Sequence, residues 1–439
     1  MRKKDARDVA VSAITAFRKR NAWSDGFLRN EIRANELTPR DAAFASEIVN
    51  GVLENSLLLN FYISKFSSIK LNKISPGILD ILQMAVYQIL FLDRIPDSAA
   101  VNDAVSRAKR NNPKAAGFVN AVARKVSASK ENLPKPQGTF SEKLSVQYSH
   151  PIELVNLFIS EFGEEETERI LAENNKKSKV FARVNTLKTT REDLTAEDEE
   201  VLSFKAGRLD NSVEVSFSGN IEKSNAFANG HFHIQDEASQ IAASLLAPKR
   251  GSRVLDACAA PGGKSFLLAE LMENEGELVS CDIHEHKLEL IKKGAKRLGI
   301  DIISTALRDA SEFAHEFEKS FDYILADVPC SGFGIIRKKP DIRYKSVDEA
   351  GELPTLQLRI LKNLSRYLKP EGTLVYSTCT ILSRENSDVI EAFLKENGDF
   401  CEEKVKVMVP CKEEKYGITL LPHISGTDGF YMCKLRRKK

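Results

Sequence analysis

Two short stretches of this 439-residue chain carry residue types capable of covalent chemistry. Ala326-Asp327-Val328-Pro329-Cys330-Ser331-Gly332 and Tyr376-Ser377-Thr378-Cys379-Thr380 each place a cysteine just beyond an apolar run that reads as a strand. A lone cysteine is usually a small buried hydrophobe. Two thiols at the carboxyl ends of neighbouring strands are another matter, because open α/β sheets bind their ligands there. Cys330 and Cys379 are therefore candidate reactive groups.

The ligand they would face is held by Val254-Leu255-Asp256-Ala257-Cys258-Ala259-Ala260-Pro261-Gly262-Gly263-Lys264-Ser265, an apolar strand running into a small-residue turn and a helix. Small residues let the backbone approach a ligand closely, and a helix N-terminus adds unpaired N–H groups. The candidate cofactor contacts are Cys258, Ala259, Ala260, Pro261, Gly262, Gly263 and Lys264. A phosphate-binding P-loop is excluded, because Cys258 occupies the position of its first glycine. The dinucleotide fingerprint is also absent, since Gly262 and Gly263 are adjacent. Asp282, 26 residues after Asp256 at the end of the next strand, stands where an acid hydrogen-bonds ribose hydroxyls in such folds. Asp309, after the third strand, is in reach of an adenine edge. A turn or helix cap is the competing use of either acid.

The elements that must position these residues follow from apolar spacing. From residue 253 the chain alternates regularly, with strands expected at 253–256, 278–282, 302–306, 322–327, 373–378, 402–408 and 429–435. Helices are expected near 264–274, 285–298, 349–368 and 383–396. This is a doubly wound Rossmann-like α/β domain over residues 235–439. Residues 141–234 read as a small α+β domain, with helical patterning over 141–173 and strands at 180–187, 213–217 and 231–234. The order between 190 and 230 is left open. Pro134 and Pro136 mark 131–140 as a linker.

Residues 1–130 read as an all-helical domain, with helix starts at Thr38-Pro39, Ser75-Pro76 and Asp97. This segment has 21 Lys and Arg against 12 Asp and Glu, whereas the remainder has 43 against 50. A basic module joined to a mildly acidic body suits polyanion binding. Arg107, Lys109, Arg110, Lys114, Arg124 and Lys125 are its expected phosphate contacts.

Composition excludes several classes. No apolar run reaches membrane-spanning length, and the charged N-terminus lacks the apolar core of a signal peptide, so a cytoplasmic protein is expected. Seven cysteines without a C-x-x-C pair suggest neither a disulfide scaffold nor a zinc site. His231-x-His233 and His284-x-His286 lack carboxylate or thiol partners, so no metal is expected.

The motifs resemble those of a known family. The cradle Asp256–Lys264, then Asp327-Val328-Pro329-Cys330-Ser331-Gly332 and Ser377-Thr378-Cys379, are similar in order and kind to the RNA cytosine-5 methyltransferases of the NOL1/NOP2/Sun class. Arg183-Val184-Asn185, Gln235-Asp236-Glu237-Ala238-Ser239, Arg337-Lys338-Lys339-Pro340-Asp341 and Asp428-Gly429-Phe430-Tyr431 match as well. The helical N-terminal domain resembles the antitermination factor NusB, and that pairing narrows the resemblance to the bacterial RsmB (Sun/Fmu) type. The resemblance covers almost the whole chain.

It implies S-adenosylmethionine as cofactor and a cytosine of small-subunit (16S) ribosomal RNA as substrate, acted on by a monomer without metal or membrane. Carbon 5 of cytosine is a poor nucleophile, so a thiolate must first add at carbon 6. By resemblance Cys379 attacks and Cys330 assists its release. The rival has Cys330 attack, as the Pro-Cys cysteine does in DNA cytosine methyltransferases. Asp327 would contact the cofactor and hydrogen-bond or protonate nitrogen 3 of the base. Lys264 would keep the site electropositive and lower a thiol pKa, the competing reading being a solvated first-turn lysine. Ala259 to Gly263 would wrap the amino-acid end of the cofactor, with Asp282 and Asp309 on its nucleoside and Cys258 packed in the turn. The same chemistry on transfer RNA is one alternative. A non-catalytic RNA-binding assembly factor with a vestigial cofactor fold is another, against which the intact cradle and both thiols argue.

Overall fold

The computed structural model describes residues 3–20, 25–196 and 202–439. The chain divides into two compact units, Met1–Asn175 and Lys176–Lys439.

The first unit is helical: Ala6–Arg20, Asp25–Ala34, Pro39–Glu54, Ser56–Phe66, Pro76–Phe91, Asp97–Asn111 and Ala116–Ala128, then Phe140–Gln147, Ile152–Phe162 and Glu164–Asn174. The expected start at Thr38 is realised, with Pro39 at the first helical position and the Asp41 N–H donating to Thr38 Oγ1 at 3.2 Å. Helix Pro76–Phe91 is apolar on most sides and accordingly central, with Ile78, Leu82, Ala85 and Ile89 buried.

One expected surface contact is corrected here. Arg107 is buried, donating to Asp5 at 2.8 Å and Asp103 at 2.8 Å and also to Asp8. A buried guanidinium must be paired, and this one is fully committed. Lys109, Arg110, Lys114, Arg124 and Lys125 are exposed.

The second unit holds two sheets. Strands β1 (Val180–Val184), β2 (Leu202–Ala206), β3 (Ser212–Phe217) and β4 (Phe232–Ile234) form an antiparallel sheet of order β2-β3-β1-β4. Edge strand β2 was not expected, because only Leu202 in it is fully buried and the alternation is faint.

The large sheet contains β5 (Arg253–Asp256), β6 (Glu277–Asp282), β7 (Ile303–Leu307), β8 (Phe321–Asp327), β9 (Leu368–Thr378), β10 (Phe400–Glu402), β11 (Lys412–Glu413), β12 (Ile418–Leu420) and β13 (Phe430–Arg437). Its order is β11-β12-β13-β9-β8-β5-β6-β7, parallel from β9 to β7 and antiparallel where β13 meets β9. The strand expected at 402–408 shrinks to β10 for a topological reason. Strand β12 occupies Phe430–Met432 of β13, which leaves β10 only Leu435–Arg437 to pair with.

Strand residues alternate between two cores, as a doubly covered sheet requires. Leu255, Ile324 and Leu374 pack with Ile360, Leu364, Ile390 and Phe393 of helices Leu353–Tyr367 and Ser387–Glu396. Val254, Leu325 and Val375 pack with Phe266, Leu267, Leu288 and Ile291 of helices Gly263–Leu271 and Glu285–Leu298. The fold is thus a helical domain, a small antiparallel sheet and a Rossmann-like α/β domain. No described helix is long and apolar enough to cross a membrane.

Candidate active site

The order β7-β6-β5-β8-β9 sets the sequence-selected residues along one edge of the sheet. Asp309 follows β7, Asp282 ends β6, Asp256 ends β5, Asp327 ends β8 and Cys379 follows β9. The chain reverses its winding at β5, between β6 and β8, which is where such sheets open a ligand crevice.

The cradle leaves β5 through a turn that its composition requires. Gly262 has φ of +108° directly before helix Gly263–Leu271, and a Cβ there would lie 2.6 Å from the Phe266 ring. The Ala260–Pro261 bond is cis. Ala259 is buried and its N–H donates to the Cys281 carbonyl at 2.7 Å, while Pro261 is exposed. Cys258 is half-buried. Burial, with Asp256, Asp327 and Asp282 nearby, pushes its thiol well up, so it is no nucleophile.

The helix that follows is anchored from β1. Fully buried Arg183 donates to Glu270 through Nη2 at 2.7 Å and Nε at 2.9 Å, to the Gly263 carbonyl at 3.1 Å, and to Gln235 Oε1. His233, half-buried and edge-on to Phe266, has its pKa pushed down to about 3 by desolvation and by Arg183 and Arg297, so it stays neutral. Among the described residues no group of three His, Cys, Asp or Glu could hold a metal ion.

Asp256 accepts from Ser265 Oγ at 2.6 Å, and burial, with Asp327 adding to it, pushes its pKa up to about 7. Lys264 is not a solvated first-turn lysine. Its Nζ donates to Asp327 Oδ2 at 2.7 Å and lies 5.2 Å from the centre of the Phe430 ring. Burial opposes its charge, but Asp327 and Asp256 hold its pKa above the ordinary lysine value. The second Asp327 oxygen accepts from Ser377 Oγ at 2.8 Å across the β8–β9 register.

The two thiols meet, with Cys330 Sγ 3.2 Å from Cys379 Sγ. Their hydrogen bond splits the pair. It lowers the Cys379 thiol pKa, against burial and Asp327 and with help from Lys264 and Lys339. It raises that of Cys330, together with burial and the surrounding carboxylates. Cys379 is thus the more acidic sulfur of the pair and Cys330 the less acidic.

Loops far apart in sequence fix the second thiol. The Gly334 N–H donates to the Cys379 carbonyl at 3.0 Å, and the Gly429 N–H donates to the Gly334 carbonyl at 2.8 Å. A Cβ at Gly334 would lie 2.1 Å from the Gly429 oxygen, so only glycine permits this approach. Lys338 locks the same loops by donating to Asp236 at 2.5 Å and Asp428 at 2.7 Å.

Asp282 accepts from the His284 N–H at 2.9 Å and Asp309 accepts from Ser311 N and Oγ at 2.8 and 2.7 Å. Each therefore serves its turn through one oxygen and keeps another for a ligand. Sequence reasoning missed their apolar neighbours. Ile283 is 58% exposed and Leu307 54% exposed, although both adjoin strand ends. It also missed buried Glu385, Gln357 and Asn386 behind the cysteine turns, for which no periodicity gave a signal.

Comparison with known proteins gives the family and the fold. Residues 243–436 match the model of the 16S rRNA methyltransferase RsmB/F family, residues 4–128 that of the NusB family, and residues 150–201 that of a ferredoxin-like domain of RsmF/B-like methyltransferases. The chain is 38% identical to the probable ribosomal RNA small subunit methyltransferase B of Bacillus subtilis, over 100% of both chains. It belongs to that methyltransferase family. The Vibrio cholerae ribosomal RNA small subunit methyltransferase B is 30% identical over 92% of this chain and 91% of its own. A crystal structure titled PH0851 superposes with a TM-score of 0.82 at 28% identity, covering 100% of this chain and 99% of its own.

As a family member the chain is an S-adenosylmethionine-dependent RNA methyltransferase. The residues fit that cofactor. A turn of small residues at 259–263 suits a close-lying amino-acid group, and Asp282 offers a free oxygen to hydroxyls. Ile283, which follows Asp282, and Leu307, two residues before Asp309, are both exposed, apolar side chains of the kind a purine ring packs on.

Proposed function

We propose that this methyltransferase modifies carbon 5 of a cytosine in small-subunit ribosomal RNA, through a covalent bond between Cys379 and carbon 6, in the cytoplasm. The thiol pair 3.2 Å apart carries the reading, since the more acidic sulfur is suited to attack and its neighbour to a later proton transfer. The relatives' names support ribosomal RNA of the small subunit as the substrate.

Bound S-adenosylmethionine supplies an electrophilic methyl group on a sulfonium. Cys379 adds to carbon 6 and the displaced π electrons move to carbon 5, which would take the methyl group as its bond to the sulfonium breaks and that electron pair stays on the cofactor's sulfur. Asp327, held between Lys264 and Ser377, faces nitrogen 3 of the base, and a proton placed between the two, from the carboxyl to the ring, makes carbon 6 more electrophilic. Once Cys379 is a neutral thioether, its negative charge no longer opposes ionisation of Cys330. Cys330 can then give up its proton to solvent and take the one on carbon 5. The C–H electrons rebuild the ring double bond and expel Cys379 as thiolate. The base has to be presented unstacked, since both faces of carbons 5 and 6 are used.

Cys379→Ala should abolish transfer of labelled methyl to ribosomal RNA, whereas Cys330→Ala should accumulate a covalent protein–RNA adduct visible on denaturing gels. An active Cys379→Ala enzyme would overturn the assignment. Bisulfite sequencing of ribosomal and transfer RNA from cells with and without the gene identifies the substrate.

A further inference from the structure

Behind the two cysteine turns lies a buried carboxylate that the mechanism above does not use. Glu385 has no exposed surface. Its Oε2 accepts from the backbone N–H of Ser331, the residue after Cys330, at 2.9 Å, and from Gln357 Nε2 at 3.0 Å. The same Gln357 nitrogen donates to the Pro329 carbonyl at 3.0 Å, so one amide grips the Cys330 turn on both sides. The other oxygen, Oε1, is buried without a hydrogen bond, and among the described residues no cation pairs with Glu385.

The next residue serves the other thiol. Asn386 Oδ1 accepts from Thr378 Oγ1 at 2.6 Å and Asn386 Nδ2 donates to the Thr380 carbonyl at 3.1 Å, bracketing Cys379. Ser331 Oγ donates to Thr380 Oγ1 at 2.8 Å and closes the frame. The two turns are therefore held differently: the Cys330 turn by a buried carboxylate without a direct ion pair among the described residues, with the Lys345 ammonium donating to the Ser331 carbonyl at 2.9 Å, and the Cys379 turn by a neutral amide.

We propose that Glu385 is a positioning residue that fixes the division of labour between the thiols: its buried charge keeps the shared proton on Cys330 and leaves Cys379 to attack. A charge in a water-poor interior acts strongly on a neighbouring ionisation. The hydrogen bond between the sulfurs can run either way, and Glu385 on the Cys330 side adds to Lys264 and Lys339 on the Cys379 side in setting its direction. The other charges around the pair, Asp327, Lys264, Lys339 and Lys345 on the Ser331 carbonyl, stay in place when Glu385 is changed.

The inference rests on the reading that Cys379 is the nucleophile, and its test separates the two. Full-length protein is alkylated with iodoacetamide between pH 7 and 9, and the Cys330 and Cys379 peptides are quantified by mass spectrometry. The wild type should react first at Cys379. Glu385→Gln keeps the shape and an acceptor for the Ser331 N–H but removes the charge, and the ratio of Cys379 to Cys330 labelling should fall about tenfold, the equivalent of one pKa unit. Glu385→Asp keeps the charge with a shorter reach and should preserve the order. A purely structural role reverses these expectations, sparing Gln and damaging Asp. An unchanged ratio in Glu385→Gln, or a lost preference in Glu385→Asp, overturns the proposal. Should Glu385→Gln fail to fold by circular dichroism, the Asp variant decides alone. Failure of the nucleophile assignment shows elsewhere, as methyl transfer by Cys379→Ala.

Discussion

The two compact units bury charge to different ends. In the helical unit Arg107 is met by Asp5, Asp8 and Asp103, and its donors point at carboxylates. In the catalytic unit Lys264 has one direct ion-pair partner, Asp327. Around that pair stand Asp256 with its proton affinity raised, two thiols in contact, and Asp282 with an oxygen to spare. A closed network can only stabilise. One left open toward a crevice can act on what enters it. Burial and pairing do not by themselves mark a site; chemistry still unspent does.

Removing Asp327 is the sharpest way to break this contrast. Asp327→Asn should cut methyl transfer by about 10²–10⁴-fold, the range for a lost acid–base group, with little change in melting temperature. Single-turnover transfer of labelled methyl measures it, and wild-type turnover would place Lys264–Asp327 with the structural pairs.

Glu270→Ala should act the other way, on stability first. It leaves the Arg183 guanidinium buried without its carboxylate, a loss of about 3–5 kcal/mol, read from denaturant unfolding. Arg107→Met should cost less, since Asp5 is already 53% exposed and can turn to water.

Asp256 supplies a pH signature. Its folded pKa is raised, chiefly by burial, to about 7 from an ordinary 3.8. The folded protein thus keeps a proton that the unfolded chain has released. Stability contributed by this group should fall as pH rises from about 4 to about 7 and stay low above that. Asp256→Asn should flatten the slope of melting temperature against pH, and a parallel curve would count against the raised value.

The smallest effects belong to the exposed basic residues. Lys114→Ala and Lys125→Ala should each weaken RNA binding evenly across sequences and lower the salt slope by about 1, measured by titration at several salt concentrations.

Much of this was legible in the chain. Strands β5 to β9 announce themselves because each is an apolar run stopped by an acid, a small-residue turn or a thiol, and their order puts those stops on one edge. Arg107 misled because two of its three partners, Asp5 and Asp8, lie about a hundred residues away, and a basic run reads as surface until they are seen. Ser383-Arg384-Glu385-Asn386 reads as a polar helix start. What buries Glu385 is the Ser331 N–H and Gln357, brought in by other elements. The β11–β12 hairpin escaped because strands of two and three residues have no period to detect.

The Arg183–Glu270 pair bears on how such enzymes diversify. Its two halves sit on β1 of the small sheet and on the cradle helix, so neither segment can be swapped by recombination for a version lacking the matching charge. A change of charge on either half would have to be matched on the other, so the small sheet and the cradle helix are coupled in the substitutions they tolerate. New target specificities would arise by drift on exposed strand edges and loops, with the seam itself held constant.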